Sequence, residues 1–174
     1  MSSAAPYIVE LPNLFQLLQH KHILFDTSAI DILLKFKATN LLSELQSQEC
    51  KFCYIHPIFI ELMRTDTLAK RQERKTLLDD FEFQTIPLIS NILDKAKDLQ
   101  LSLSAYSCYP SPTDLYLGGT LAHFSEGAIF LLTSNVKDFP CPLFERAGQI
   151  IIQGDRNVQV LSLLALDHSE FAGG

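Results

Sequence analysis

The chain has 174 residues, of which 47% are hydrophobic, and a formal net charge of −6 at pH 7. This length and composition predict one globular domain with a sizeable core and exclude a disordered chain. The acidic balance excludes general polyanion binding, so any nucleic-acid contact requires a local basic patch. No apolar run reaches the ~20 residues of a membrane span, and residues 1–6 lack a secretory signal pattern. We therefore expect a cytoplasmic protein without a membrane contact.

Helical and buried-strand patterns alternate along most of the chain. An extension of about 21 residues, with a short amphipathic helix over 12–19, precedes the first strand. Strands are predicted at 22–25, 51–55, 81–86, 128–133 and 149–153, and helices at 29–37, 39–48, 57–67, 88–103, 111–122 and 158–166. This alternation predicts a three-layer α/β/α domain over residues 1–174, with a central, mainly parallel sheet of about five strands.

Asp26 lies where the first buried strand ends and a helix begins. Ile23, Leu24 and Phe25 run straight into this carboxylate without a turn residue. Ligands bind at this edge of open α/β sheets, which makes Asp26 a candidate site residue. Aspartate is also a favourable helix N-cap, and capping is the better explanation of Asp26 when it is considered alone. The recurrence of acids at similar positions is what favours a site.

Two further acids are candidates: Glu61 shortly after a predicted strand end, and Asp114 at the start of a helix that precedes a strand. Glu61 lies about one turn into the helix after the second strand, among apolar neighbours, which favours a pocket over an exposed helix face. Asp114 is the third residue of a helix that begins at Ser111 and Pro112. A capping box is therefore an alternative explanation for Asp114.

Asn135 and Asp138 follow the fourth strand directly. They stand three residues apart, so a single helical turn would bring both to one side. Because the carboxyl ends of parallel strands share one edge of the sheet, these residues, Asp26 and Glu61 are expected there together, with Asp114 less securely placed. Clustered carboxylates repel one another unless a cation lies between them, and oxygen ligands suit Mg²⁺ or Mn²⁺. Two-metal carboxylate sites activate water for phosphodiester cleavage.

Four short motifs, in this order over about residues 22–153, resemble the signatures of the PIN domain family. They are Asp26-Thr-Ser-Ala, Ile-Glu-Leu-Met around Glu61, Thr-Asp-Leu around Asp114, and Leu-Leu-Thr-Ser-Asn-Val-Lys-Asp-Phe at 131–139. Many PIN domains are Mg²⁺-dependent ribonucleases, among them the VapC-like toxins of toxin–antitoxin pairs. The resemblance implies an endoribonuclease with RNA as substrate, and an antitoxin and a second copy of the chain as partners.

The resemblance also implies roles for individual residues. Asp26, Glu61 and Asp114 would be catalytic metal ligands for Mg²⁺ or Mn²⁺, with Asp138 or Asn135 as the fourth polar member. Ser28 and Thr133 would support these ligands by hydrogen bonding. The chain departs from the family pattern in its extension over residues 1–21 and in Asn135, which replaces the fourth acid at its commonest position.

Two other functions stay open. A catalytically inactive PIN-like binding scaffold fits the acidic charge and Asn135. A phosphotransferase with Asp26 as nucleophile is the third hypothesis, although such enzymes usually carry a second aspartate where this chain has Ser28.

The remaining expectations concern charge, thiols and glycines. The basic residues Lys70, Arg71, Arg74 and Lys75 form either a solvated helix face or a guide for the RNA backbone. Cys50 and Cys53 are expected to be buried thiols in a reducing compartment rather than a zinc half-site. Gly118 and Gly119 predict close packing of their helix, most simply against the sheet. Repulsion among the three acids predicts that Glu61→Gln stabilises the metal-free protein.

Overall fold

The computed structural model describes residues 7–9, 13–65, 67–154 and 156–171. The elements in chain order are β1 (Tyr7–Val9), α1 (Leu14–Leu17), β2 (His22–Phe25), α2 (Thr27–Lys35), α3 (Asn40–Ser47), β3 (Lys51–Ile55), α4 (His56–Met63), α5 (Leu68–Asp80), β4 (Gln84–Ile86), α6 (Ser90–Ser104), α7 (Pro112–His123), β5 (Ile129–Thr133), a 3₁₀ helix (Val136–Asp138), β6 (Phe144–Gln153) and β7 (Val158–Leu166). Pro12, which the sequence placed in the first helix, lies outside the described residues.

All seven strands form one sheet, in the order β1-β6-β7-β5-β2-β3-β4. Strands β4, β3, β2 and β5 are parallel to one another. Strands β7, β6 and β1 continue the sheet in antiparallel fashion from β5. The predicted α/β class is confirmed, but the sheet is larger and more mixed than the expected five strands because the antiparallel half was largely missed.

The segment 158–166 is a strand, so the predicted C-terminal helix is wrong. Strand β7 lies between β5 and β6, and Leu161, Leu163 and Leu164 are buried there. A strand that is covered on both faces has a continuous apolar run, which periodicity cannot distinguish from a buried helix. Val158 and Val160 were the available sequence signal, because β-branched residues favour strands.

The two outer antiparallel strands also differ from the prediction. Strand β6 begins at Phe144, and Gly148 lies inside it at a shift of register against β7 rather than at its start. A Cβ atom on Gly148 would stand 2.6 Å from Leu14 Cδ1, so the glycine lets α1 approach the sheet. Strand β1, within the predicted extension, pairs with β6.

Helices cover both faces of the sheet. On one face, His22 of β2 and Cys53 of β3 share a cavity with Ile92 of α6 and His123 of α7. Alternation along a strand sends the neighbouring side chains to the opposite face. There the ring centroids of Phe25 and Phe52 lie 5.4 Å apart. The described part of the chain therefore has the three layers that the sequence predicts.

Gly118 and Gly119 lie in α7 and pack mainly against α6, and Gly118 also lies against Phe144 of the sheet strand β6. A Cβ atom on Gly119 would stand 2.6 Å from the carbonyl oxygen of Ile92 and 2.9 Å from the backbone nitrogen of Ala96. These backbone atoms cannot rotate away as a side chain could. The predicted close packing is therefore present, but mainly with a helix as the partner.

We expect Gly119→Ala to destabilise the protein by about 1–3 kcal/mol or more, because the added methyl group forces α6 and α7 apart. Thermal or urea unfolding measures this loss. A second substitution, Ala96→Gly, should not restore stability, since the obstructing atoms belong to the backbone of α6. Full rescue by Ala96→Gly would contradict this account.

Two absences bear on function within the described residues. No described helix is long and apolar enough to cross a membrane. All four cysteines are free, and Cys50 and Cys53 are buried as predicted. Burial raises the pKa of Cys50 to about 11 and that of Cys53 to about 12, so both are protonated thiols. The two thiols contact different backbone carbonyl oxygens, that of Leu18 for Cys50 and that of Ile23 for Cys53.

Candidate functional site

Asp26 stands between β2 and α2 and is buried. It occupies the N-cap position of α2, but its side chain accepts no capping hydrogen bond. Instead its Oδ2 atom accepts hydrogen bonds from Ser28 Oγ and from Thr133 Oγ1, each at 2.7 Å. The capping explanation of the Asp26 carboxylate therefore fails, and a site role becomes the better explanation.

Ser28 and Thr133 are themselves fixed by the backbone. The Ser134 N–H donates to Ser28 Oγ at 3.1 Å, and the Asn135 N–H donates to Thr133 Oγ1 at 2.9 Å. Each hydroxyl thus accepts from the loop after β5 and donates to Asp26. The structure places both residues where they can orient the Asp26 carboxylate, as the resemblance implies.

Glu61 lies in α4 and has partners that the sequence did not indicate. Its Oε2 atom accepts a hydrogen bond from Thr27 Oγ1, and its Oε1 atom accepts one from Thr113 Oγ1, both at 2.8 Å. The only sequence signal for the two threonines was their position, each next to a predicted acid. Glu61 is therefore an oriented carboxylate at a partly buried position, not an exposed helix-face residue.

Asp114 has the predicted structural role at the start of α7. Ser111 and Asp114 form a complete capping box, in which Asp114 Oδ2 accepts from the Ser111 N–H at 3.2 Å. Burial raises the pKa of Asp114, and the charges of Asp138 and Asp26 raise it further against the opposing effect of the Ser111 hydrogen bonds. The capping explanation is thus correct for the Oδ2 atom of Asp114. The effect of Asp138 and Asp26 on its pKa indicates that Asp114 also lies near these two acids.

These residues surround one cleft of about 390 Å³. Its lining consists of Asp26, Thr27, Ser28, Asp31, Glu61, Ser111, Thr113, Asp114 and Asn135. None of these is basic, and among the described residues Asp26, Glu61 and Asp114 have no ion pair with a lysine or arginine. The cleft is accordingly an acidic space lined by carboxylates and hydroxyls.

Asn135 and Asp138 come together as the sequence predicted. The 3₁₀ helix Val136–Asp138 follows Asn135, whose Nδ2 atom donates to Asp138 Oδ2. Asn135 lines the cleft, whereas Asp138 does not. Burial is the main cause of the raised pKa of Asp114 and of Cys108, and the negative charge of Asp138 raises both pKa values further. The pair therefore lies at the edge of the acidic cleft.

The donor chemistry of this cleft fits a hard divalent cation. Carboxylate and hydroxyl oxygens are the ligands that Mg²⁺ and Mn²⁺ prefer. Among the described residues, no three His, Cys, Asp or Glu side chains form a group arranged around one metal position. The acids thus line a common cleft, but they do not converge on a single point in this conformation.

Asp31 is a lining acid that the sequence did not indicate, and its partner changes the interpretation of the basic cluster. Arg74 of α5 donates to Asp31 Oδ1 from Nε at 3.0 Å and from Nη2 at 2.7 Å. Its Nη1 atom donates to the Leu62 carbonyl oxygen at 2.6 Å. Arg74 therefore links α2 and α4, and it is not available to contact RNA. The other three residues of the basic cluster, Lys70, Arg71 and Lys75, are exposed.

Arg74→Ala should lower the free energy of unfolding by about 1–3 kcal/mol, because it leaves a partly buried carbonyl and a carboxylate without their donor. Arg71→Ala is the matched control on the same helix, and its effect should stay within about 0.5 kcal/mol. Urea titrations of both variants make the comparison. Equal effects would show that Arg74 has no special structural role.

The raised pKa of Asp114 predicts a pH dependence of stability. Protonation of Asp114 is easier in the folded than in the unfolded protein, so its contribution is favourable below the ordinary pKa of 3.8 and is lost as pH rises through the raised value. Asp114→Asn removes this titration and keeps an acceptor for Ser111. We expect the mutant to gain stability relative to wild type as pH rises through this window. Thermal melts in parallel buffers measure the difference, and a pH-independent difference would contradict the assignment.

Comparisons with known proteins find a likeness of fold alone. No family model matches the sequence, and no curated protein matches it. The fold is similar to that of a chain in the crystal structure of DNA-bound VapBC from Salmonella typhimurium, with a TM-score of 0.55 and 14% identity over 70% of this chain and 93% of that chain. It is also similar to a chain of VapBC2 from Rickettsia felis bound to a DNA fragment from its promoter, with a TM-score of 0.52 and 17% identity over 67% of this chain and 89% of that one.

Proposed function

We propose that this protein is a metal-dependent endoribonuclease of the PIN type. The observation that carries the proposal is the acidic cleft, which Asp26, Glu61 and Asp114 line without an ion pair to a lysine or arginine in the described part of the chain. The fold shared with chains of VapBC complexes supports the proposal independently of the motifs.

The charge of the cleft explains why a cation is needed. Carboxylates without a cationic partner repel one another: after burial, the charges of Asp138 and Asp26 raise the pKa of Asp114. They also repel the phosphate groups of RNA. A bound Mg²⁺ or Mn²⁺ ion offsets both effects and supplies charge stabilisation and an acidified water to phosphodiester hydrolysis.

The residues of the cleft have distinct roles in this proposal. Asp26, Glu61 and Asp114 would hold the cation, and Asn135 lines the same cleft. Ser28 and Thr133 keep the Asp26 carboxylate oriented, since both donate to the same oxygen. Asp138 contributes negative charge through its position behind Asn135.

The substrate and partner follow from charge and from the fold. Lys70, Arg71 and Lys75 are exposed cations on α5 that suit contacts to the RNA backbone. We infer an antitoxin-type protein partner, because both similar structures are VapBC complexes. A toxin of a toxin–antitoxin pair is the resulting biological role, and association of two copies of the chain is a further expectation.

The direct test uses the purified full chain with a labelled single-stranded RNA of mixed sequence. We expect cleavage with Mg²⁺ or Mn²⁺, none with EDTA, and none of the DNA of the same sequence. Restoration by added metal after EDTA excludes a contaminating metal-independent ribonuclease. Cleavage that is unaffected by EDTA, or no cleavage of any RNA in either metal, would overturn the proposal.

One observation favours the inactive scaffold as the second candidate. The amide of Asn135 donates to Asp138, so the fourth acid is engaged by a neutral side chain instead of facing the cleft. A scaffold would retain partner binding and lack cleavage in both metals. Asn135→Asp then distinguishes the two functions, because it should raise the activity of an enzyme and leave a scaffold inactive.

A further inference from the structure

The Glu61 carboxylate is held from two sides by hydroxyl groups of different helices. Thr27 belongs to the first turn of α2, and Thr113 belongs to the first turn of α7. Each donates to its own oxygen of Glu61 at 2.8 Å. Hydrogen bonds to a charged acceptor are the stronger kind, so both threonines fix the direction of the carboxylate.

These two threonines are neighbours of the other two acids. Thr27 follows Asp26 directly, and Thr113 precedes Asp114 directly. The chain segments that carry Asp26 and Asp114 are otherwise far apart in sequence, and Glu61 of α4 links them across the cleft. The spacing between Asp26 and Asp114 therefore depends on a bridge that runs through Glu61.

The bridge leaves Glu61 able to accept further hydrogen bonds. An ionised carboxylate has about four acceptor positions, and the two threonines occupy one on each oxygen. Glu61 can thus hold its position through the threonines and still present oxygen atoms to the cleft. Valine at either threonine position would keep the shape of the side chain and remove the donor.

We propose that Thr27 and Thr113 are positioning residues that act through Glu61 to set the spacing of Asp26 and Asp114, and with it the affinity of the cleft for a divalent cation. The inference rests on the proposed function, since it assumes that the cleft holds a cation. Groups that orient metal-ligating residues typically change metal affinity 10–100-fold when they are removed.

Titration of the full chain with Mn²⁺, followed by the EPR signal of the free ion, tests this inference without RNA. We expect Thr27→Val and Thr113→Val each to weaken Mn²⁺ binding about 10-fold. Thr113→Ser, which keeps the hydroxyl, should bind within about 2-fold of wild type, on the reasoning that the donor is what matters. Thr85→Val, at an exposed threonine of β4, is the matched control and should bind like wild type. Circular dichroism and thermal melts show that every variant compared is folded.

A second measurement separates action through Glu61 from a local effect. In a Glu61→Ala background the Thr113→Val substitution should have no further effect on Mn²⁺ affinity, because its acceptor is gone. Weakened binding with serine rescue and this loss of effect would support the inference. Valine variants that bind Mn²⁺ as tightly as wild type, while Asp26→Asn weakens binding, would overturn the inference and leave the proposed function intact. A wild-type chain that neither binds Mn²⁺ nor cleaves RNA would overturn both.

Discussion

Asp26→Asn should reduce metal-dependent RNA cleavage by at least about 10³-fold, which corresponds to about 4 kcal/mol of transition-state stabilisation. Asp26 is the most deeply buried of the cleft acids, and its Oδ2 atom is engaged by Ser28 and Thr133. Both of these hydrogen bonds go to Oδ2, so Oδ1 would be the oxygen left to hold the proposed cation. Asparagine keeps the shape and removes the charge that holds a divalent ion. Single-turnover cleavage of labelled RNA at saturating Mg²⁺ measures the loss.

Asp79→Asn is the matched control for this experiment, because Asp79 is an exposed acid on α5 that lies outside the cleft. It should cleave like wild type. Both variants should melt within a few degrees of wild type, which excludes global unfolding as the cause. An Asp26→Asn variant that cleaves at the wild-type rate would remove Asp26 from the catalytic site and with it the ribonuclease assignment.

The second large effect is the response of stability to Mg²⁺ and to Glu61→Gln. Mg²⁺ at tenfold excess over its dissociation constant should stabilise the wild-type protein by about 1.4 kcal/mol. Without metal, Glu61→Gln should destabilise the protein by about 1–2 kcal/mol, because both threonine hydroxyls lose a charged acceptor and one of them meets an amide NH2 donor instead. This sign is opposite to the sequence-based expectation, which considered only the repulsion among acids. Mg²⁺ should stabilise the mutant less than wild type.

Thermal melts with Mg²⁺, without it and with EDTA measure both halves of this prediction. Glu126→Gln, at an exposed position after α7, is the control for removal of one negative charge. A gain of stability in metal-free Glu61→Gln would show that charge repulsion outweighs the threonine hydrogen bonds. Melts that do not respond to Mg²⁺ in either protein would favour the inactive scaffold.

The parallel half of the fold was predictable because its signals are local. Runs such as Ile23-Leu24-Phe25 end at polar residues, and each is followed by a helical pattern, so strand ends and candidate acids could be located together. Asp26, Glu61, Asn135 and Asp138 were placed at one edge in this way, and Asp114 was added from the start of a helix. All of them except Asp138 line the cleft. Their catalytic roles stay a prediction.

The features that the sequence did not indicate depend on contacts between distant segments. Arg74 and Asp31 are 43 positions apart, and Thr113 is 52 positions from Glu61. No local pattern pairs such residues, since each is an ordinary polar position on its own helix. Strand β7 was wrongly predicted as a helix for a related reason. Its place between β6 and β5 gives it an apolar run without alternation.

The position of β7 has a consequence for how the sheet assembles. Strand β6 pairs only with β1 and β7 among the described strands, so it reaches the parallel strands only through β7. Strands β6 and β7 form a hairpin whose contacts are local in sequence, and such contacts form quickly. We expect this hairpin to close first and then to dock as a unit onto the exposed edge of β5. Substitutions within the hairpin should therefore alter folding and unfolding rates, while Asp26 and Glu61, which lie beyond β5, keep their native spacing.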